Sequence, residues 1–306
     1  MIIAVMANDV SGGATPLSHW GVVRAEGAEA ASFLNGQLTS DIESIGRDAA
    51  RLAGYCTAKG RLLASFVVWR PADDVLLLAC SRDVLAATLK RLSMFVLRAR
   101  CKLSDVSAAL PLFGLAGESA RQALGDAPPW SRRTVSDADV IRLPDAAGVP
   151  RWLGCGTPPA LPALSLDAWN RLEVESGIAR IVAATVEQFV PQMLNYEAVG
   201  GVDFRKGCYP GQEIVARSQY RGTIKRRTLR FDVAAEAAPG DEVFAAADAA
   251  QPAGMVVNAA TRDGGGSVLL VEVKLAAAGD ALHLRSVNGP ALQPAALPYA
   301  LPSAES

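Results

Sequence analysis

Cys208 lies in a stretch whose residue types could activate a thiol. It follows the basic pair Arg205 and Lys206, and the next three residues, Tyr209-Pro210-Gly211, are typical of a turn. Proline fixes φ and glycine permits unusual backbone angles, so the chain is expected to turn here before a short helix over residues 212–217. Neighbouring cations and a helix start both favour a thiolate. We therefore predict a functional thiol at Cys208, assisted by Lys206. The alternative is a small residue packed under a loop.

The same stretch concentrates positive charge. Residues 205–230 contain eight Lys and Arg residues and one acid, Glu213, whereas the whole chain has a net charge of −1. Such a run could bind the carboxylates of a ligand tail or the phosphates of RNA. It could equally form a solvated surface. Because side chains alternate along a strand, at most half of those beyond residue 222 would serve one site.

An acid and two tryptophans offer a way to hold a flat heterocycle. Glu175 lies near the end of a predicted helix over residues 165–176, just before Gly177. A carboxylate there could accept paired N–H groups from a pterin or guanine edge, and helical spacing turns Glu173 away. Trp20 and Trp169 could stack on such a ring. The alternatives are an exposed acid and ordinary core packing of the indoles.

Composition excludes several other classes of site. The five cysteines lie far apart without a CxxC pair, and the two histidines are His19 and His283. A structural zinc site or a self-held iron–sulfur cluster is therefore not expected, and reduced thiols in a cytoplasmic protein fit best. The pI of about 6.2 gives no global attraction to nucleic acid. The apolar start, residues 1–10, lacks the basic region of an export signal and is expected to be loose or strand-like.

Both strands and helices must position these side chains. Period-2 patterns predict strands at 18–26, 51–57, 61–69, 75–80, 98–104, 112–117, 139–143 and 151–155, and again at 223–233, 241–245, 254–260, 267–274 and 281–287. Helical periods predict helices at 28–38, 82–97, 118–124 and 165–176. Residues 178–202 are irregular, which is typical of a functional or docked loop. The fold class is α+β: a mixed region over 15–222, then a small antiparallel β-barrel over 223–306 with an extended tail.

Several segments together resemble one family. The motif KGCYPGQE (206–213), followed by VARSQYRG and KRR, resembles the signature of YgfZ-type folate-binding proteins, which are relatives of Iba-type iron–sulfur assembly factors. Matching segments in the same order are WGVVRAEG (20–27), FLNGQLTSDI (33–42), CTAKGRLLASFVV (56–68), WNRLEVESGI (169–178) and FVPQMLNYEAVGGVDF (189–204). This resemblance implies a three-lobed ring like the glycine-cleavage T protein, an aminomethyltransferase, with tetrahydrofolate or a one-carbon derivative in its central opening.

The resemblance also implies roles for individual residues. Cys208 corresponds to the family's functional thiol. The folate contacts implied by the matching positions are Trp20, Trp169, Glu175, Tyr209, Gln212, Glu213 and one or both of Arg226 and Arg227, the last two at the glutamate tail. The loop from Lys206 to Glu213 would form the rim of the opening.

One departure from the aminomethyltransferase pattern bears on activity. Those enzymes carry paired aspartates on the second strand of a hairpin, where this chain has Ala64 and Ser65. The resemblance therefore favours a folate-binding accessory protein, not itself an enzyme, that supports iron–sulfur cluster assembly or repair and thereby tRNA thiomethylation. Its expected partners are iron–sulfur enzymes or scaffold proteins, with transient cluster contact at Cys208, no bound metal, no stable nucleic-acid binding and no membrane. The alternatives are a folate-dependent one-carbon transferase and an RNA-binding module that uses the basic run.

Overall fold

Three antiparallel sheets organise the chain in the computed structural model, which describes residues 12–220 and 224–302. The strands are β1 (Gly13–Pro16), β2 (Trp20–Glu26), β3 (Ala50–Cys56), β4 (Leu62–Ala72), β5 (Val75–Ser81), β6 (Lys102–Asp105), β7 (Leu112–Ala116), β8 (Arg132–Val135), β9 (Ala138–Ala146), β10 (Val149–Cys155), β11 (Arg226–Val233), β12 (Glu242–Ala245), β13 (Gly254–Thr261), β14 (Ser267–Lys274), β15 (Leu282–Leu284) and β16 (Leu292–Ala295). The helices are α1 (Ala30–Asn35), α2 (Arg82–Ser93), α3 (Gly117–Leu124), α4 (Leu166–Glu175) and α5 (Gln212–Tyr220).

The first sheet has the order β3-β4-β5-β2-β6 and the second β1-β7-β10-β9-β8. The predicted hairpin is β3 and β4, paired from Ala50 opposite Trp69 to Cys56 opposite Leu62. Strands β5 and β4 are buried along most of their length because helices α1 and α2 cover one face and the second sheet packs near the other. The segment 178–202 is irregular as predicted, apart from two 3-10 turns at Ala183–Thr185 and Pro191–Leu194.

The third sheet forms a nearly closed barrel with the order β15-β12-β13-β14-β11-β16. Its end strands meet through a bridge between His283 and Ala291. Helix α4 packs against β13 and β14, so the barrel lies directly on the helix that carries Glu173 and Glu175. The boundary predicted at 222–223 lies outside the described residues, as do residues 1–10, and the division into 15–222 and 223–306 stays a prediction.

Several elements differ from the sequence predictions. Strands β1 and β8 were not predicted from the sequence. Part of the tail that was predicted to be extended forms β16, which pairs with β11. The helix predicted to reach residue 97 ends at Ser93, so Phe95 is exposed and does not lie on the apolar side of a helix. The strand predicted from residue 98 begins only at Lys102. None of the helices in the described ranges has the length and apolar character needed to cross a bilayer.

Candidate functional site

A cavity of about 360 Å³ opens between the first sheet, helix α4 and the barrel, and we call it the chamber. Its volume falls in the range of small-molecule sites. The apolar part of its wall comes from Leu52, Phe66, Val67, Leu143, Leu166, Val174, Ile178, Ala179 and Val182. The barrel contributes Pro239, Asn258 and Ala259. The chamber therefore draws on both sides of the predicted domain boundary.

Glu173 is the acid of the chamber. It lies on the same face of α4 as Leu166 and Asn170, because residues seven and three or four apart in a helix share a face. Its Oε2 lies 3.7 Å from His19 Nε2 and 3.6 Å from Arg180 Nη2. Both distances exceed that of a hydrogen bond. Burial favours the protonated acid, but the charges of Arg180 and Arg151 and the contact with His19 outweigh burial and lower the pKa of Glu173.

Glu175, the acid predicted to face a ligand, does not line the chamber. It lies on the side of α4 that faces the barrel, where its charged neighbours include Arg230 and Asp232 of β11. Burial there raises its pKa. The prediction that Glu173 turns away is wrong, because it set the face of the helix by Trp169 and Leu172, which point into the core.

Trp20 lies on the chamber wall, as expected of a ring contact. The guanidinium of Arg180 lies over its indole, 4.7 Å from the ring centroid, and donates to Ser81 Oγ at 2.6 Å. The buried Nε1 of Trp20 and both ring nitrogens of His19 have no hydrogen-bond partner among the described residues. Buried polar atoms without partners are costly, so this corner of the chamber is suited to a ligand that supplies donors and acceptors.

Trp169 packs behind the chamber and does not reach its wall. Its indole is fully buried and lies against Gly114 of β7, where a Cβ atom would be only 2.4 Å from the ring. Only glycine leaves room for the indole at this point. The predicted stacking of Trp169 on a ligand is therefore not supported, and its role is to support α4 from the core.

Two chamber residues were missed by the sequence analysis. Arg180 belongs to the irregular segment and Arg151 to β10, which otherwise carries buried apolar side chains. Burial lowers the pKa of Arg151 to about 10, and its Nε donates to the carbonyl of Pro144 at 2.9 Å. A single arginine in an apolar strand is the signal that could have identified Arg151. Arg180 carries the same signal, since it is the one charged residue of the apolar run 178–182.

The thiol loop, residues 206–213, lies away from the chamber and against the β3–β4 turn. Gly211 adopts φ +81°, and a Cβ there would lie 2.4 Å from the carbonyl of Thr57. None of the loop's residues lines the chamber. Tyr209 is buried, while Glu213 is exposed and pairs with Arg217 one helical turn later at 2.7 Å. The predicted folate contacts of Tyr209, Gln212 and Glu213 are therefore not supported by the geometry.

Cys208 is exposed, whereas Cys56, Cys80 and Cys155 are buried. Burial raises the pKa of each of those three thiols to about 12. Lys206 Nζ donates to the carbonyls of Leu38, at 2.8 Å, and Asn35. It also lies 4.8 Å from the ring centroid of Tyr209. Partial burial lowers the pKa of Lys206 to about 8.

Arg226 and Arg227 are both paired within the protein. Arg226 binds the carboxylate of Glu272 through Nε and Nη2, the latter at 2.8 Å. Arg227 is buried and pairs with the equally buried Glu197. Neither lines the chamber, so the predicted contact with a glutamate tail is not supported. Nowhere in the described ranges do three His, Cys, Asp or Glu side chains form a group that could hold a metal ion.

The chain was compared with family models, curated proteins and solved structures, and no family model matches it. It is 30% identical over 304 residues to the tRNA-modifying protein YgfZ of Sodalis glossinidius, covering 93% of this chain and 92% of the relative. It is 33% identical over 241 residues to the tRNA-modifying protein YgfZ of Edwardsiella ictaluri, covering 73% and 72%. Among solved structures, the glycine cleavage system aminomethyltransferase T from Bartonella henselae aligns with a TM-score of 0.72 at 15% identity over 94% of this chain and 86% of that one. This likeness confirms the predicted fold.

Proposed function

The chain belongs to the YgfZ family, and from this membership and the geometry of the chamber we propose that it is a tetrahydrofolate-binding accessory protein that supports tRNA modification. The curated relatives are named tRNA-modifying proteins, and the structural neighbour is an aminomethyltransferase. The activity is exerted through partner proteins that assemble or carry iron–sulfur clusters, and Cys208 is the thiol that meets them.

The single observation that carries the ligand assignment is the open carboxylate of Glu173. It lies among apolar walls, and the nitrogens of His19 and Arg180 that face it stand at 3.7 and 3.6 Å, beyond hydrogen-bond distance. A pterin edge presents adjacent N–H donors, which a carboxylate can accept with both oxygens. Trp20 offers a ring face beside it, and the unpartnered nitrogens of His19 can bond to the ring's remaining polar atoms.

The chamber fits a pterin ring in size as well as in chemistry. The chamber of about 360 Å³ suits a flat ring system with one polar edge. Arg151 and Arg180 give it two positive charges, which balance the negative charge of Glu173 and leave one for an anionic part of the ligand. Arg180 and Arg151 replace Arg226 and Arg227 as the proposed anion contacts.

A one-carbon transferase is less well supported. Ser65 lies on the chamber wall where the related enzymes carry an aspartate, and its hydroxyl already accepts a hydrogen bond from the backbone N–H of Ile181 at 2.9 Å. A hydroxyl so engaged cannot replace an ionised acid. Direct RNA binding through the basic run is also less well supported, because the Arg226 and Arg227 charges are neutralised by partners.

Tetrahydrofolate titrations followed by tryptophan fluorescence test the proposal. Glu173→Gln is expected to weaken binding about 10- to 100-fold, because hydrogen bonds to a charged group contribute roughly 1.5–3 kcal/mol and the amide turns one acceptor into a donor. Glu175→Gln, on the other face of the same helix, is the matched control and should bind within about twofold of wild type. Absence of binding by wild type, or the opposite ranking of the two variants, would refute the assignment.

A further inference from the structure

Three exposed apolar side chains lie within four residues of one another in the segment that joins α2 to β6. They are Met94, Phe95 and Leu97, exposed by 59%, 43% and 85%, and we call them the apolar tip. Across the described residues they make up three of the five large hydrophobic side chains that are exposed. Scattered exposed apolar residues are ordinary, but a contiguous group marks an interaction site.

The apolar tip belongs to a basic segment, in which one cation, Arg100, is paired with Glu29 at 3.6 Å. Residues 84–104 contain no Asp or Glu, although the chain as a whole has a net charge of −1. The basic residues of this segment are Lys90, Arg91, Arg98, Arg100 and Lys102. Four of them are exposed and Arg91 is partly exposed. The surface that fits the tip therefore has an apolar centre and an acidic edge.

The base of the tip is fixed to the rest of the fold. The backbone N–H of Arg100 donates to Glu29 Oε2 at 2.6 Å, and its carbonyl accepts from the N–H of Glu29 at 3.2 Å. Gly27 lies so close to that carbonyl that a Cβ would come within 2.1 Å of it. On the other side, Leu92 is buried in the core. The apolar tip is therefore held to the fold on both sides, and its side chains are exposed although the backbone around them is fixed.

Helix α1 connects this anchor to the thiol loop. Glu29 directly precedes α1, while Asn35, its last residue, accepts from Lys206 two positions before Cys208. A helix of six residues is about 9 Å long. The anchors of the tip and of the thiol loop therefore stand at the two ends of one short helix. An interface of ordinary size covers about 800 Å² of each partner, roughly 30 Å across, which is enough to include both.

We propose that the apolar tip and the thiol loop are two parts of one docking surface for a partner protein that has an apolar cleft with an acidic rim. The proposal rests on the proposed function in taking Cys208 as the thiol that meets a partner. The tip supplies apolar burial, the exposed cations beside it and Arg205 supply complementary charge, and docking brings the partner's reactive group to Cys208. A lipid surface would explain the tip but not its link to the thiol loop. RNA offers no apolar cleft for Leu97.

Paired leucine substitutions in the full chain test the surface. Leu97→Asp places a charge in the tip, and Leu275→Asp, at a leucine 41% exposed on the barrel, is the matched control. Each is expressed in a bacterial strain that lacks its own family member, and thiomethylated tRNA nucleosides are measured by mass spectrometry. We expect Leu97→Asp to lower the modified fraction at least about tenfold and the control to leave it unchanged, with tetrahydrofolate affinity and melting temperature unaltered in both purified proteins. Full modification with Leu97→Asp, or an equal loss with the control, would overturn the proposal.

Cross-linking tests the proposed docking surface without relying on tRNA modification. A photoreactive phenylalanine analogue at position 97 is expected to capture, in cells, the same protein that an added thiol oxidant such as diamide joins to Cys208 as a mixed disulfide. Arg98→Glu should lower both yields several-fold. Adducts only with lipid, only with a second copy of this chain, or with different proteins at the two positions would overturn it. So would Leu97-dependent sedimentation with phosphatidylglycerol vesicles. A shared adduct without folate binding or restored tRNA modification would refute the proposed function and leave the docking surface standing.

Discussion

The chamber and strand β11 carry the same kinds of charged side chain but pair them differently. On β11, Arg226 and Arg227 each meet a carboxylate at hydrogen-bond distance. In the chamber, His19 and Arg180 approach Glu173 only to 3.7 and 3.6 Å. We call a charge pair closed when its two groups are at hydrogen-bond distance, and open when they are farther apart. A closed pair holds strands and loops together, whereas an open pair can still form hydrogen bonds with a ligand. The comparison shows why a cluster of basic residues in a sequence is a poor guide to where an anion binds.

The largest effect is expected from breaking the closed pair of Arg227 and Glu197. Arg227→Met leaves Glu197 buried without its cation, which typically costs about 3–5 kcal/mol of unfolding free energy. Urea unfolding measures this loss. Tetrahydrofolate affinity of the folded variant should stay within about twofold of wild type.

Arg217→Met is the control for that substitution. Its pair with Glu213 is exposed on α5, so removing it should change stability by less than about 1 kcal/mol. If Arg227→Met instead kept its stability and lost folate binding, the distinction between closed and open pairs would be wrong.

A smaller effect, of the opposite kind, is expected from Arg180→Met. Methionine keeps an aliphatic side chain over Trp20 but removes the charge that faces Glu173. Tetrahydrofolate affinity should fall about 10- to 100-fold, because charge-assisted contacts contribute roughly 1.5–3 kcal/mol, and fluorescence titration measures it. Unfolding free energy should fall by less than in Arg227→Met, because His19 and Arg151 still face Glu173 after the substitution. A large loss of stability with normal affinity would place Arg180 with the closed pairs.

The smallest effect on the purified protein is expected from Cys208→Ser. The thiol is exposed and lies outside the chamber, so affinity should stay within about twofold and unfolding free energy within about 0.5 kcal/mol. The modified fraction of tRNA in cells should nevertheless fall. Folate affinity that drops tenfold would show that the thiol loop and the chamber act as one site, contrary to the separation described above.

The sequence predicted the framework well because its periodicities are strong. The β3–β4 hairpin, α2, α4 and most barrel strands follow from alternating or helical patterns of apolar residues. The predicted ends of helices and strands were least accurate where the local pattern and the burial disagree. Phe95 is an example, because its apolar side chain continues the helical period of α2 beyond the end of the helix at Ser93.

The site was harder to predict because it depends on which face of a helix meets which sheet. Glu173 and Glu175 are two residues apart on α4, and which of them faces the chamber depends on how the helix packs against the barrel and the second sheet. Arg180 reaches Glu173 and Trp20 from an irregular segment, so no repeating pattern could place it. The pairing of Arg226 and Arg227 depends on Glu272 and Glu197, which are distant or unpatterned in sequence. Family resemblance therefore placed the fold correctly, while several of the folate contacts that it implies lie outside the chamber and stay predictions.

Two hydrogen bonds between one side chain and one backbone unit link the barrel to the chamber wall. The side-chain amide of Asn258 on β13 accepts from the N–H of Arg180 at 2.8 Å and donates to the carbonyl of Arg180 at 2.9 Å. An amide that is tied in this way becomes accessible to solvent deuterium only when the barrel separates from the segment beside it. The proposed ligand, bound in the chamber, would oppose that opening, by about 2.7 kcal/mol when it is present at a hundredfold excess over its dissociation constant. We therefore expect slow deuterium exchange at the Arg180 amide, and slower exchange still when ligand is added, because β13 closes one side of the cavity.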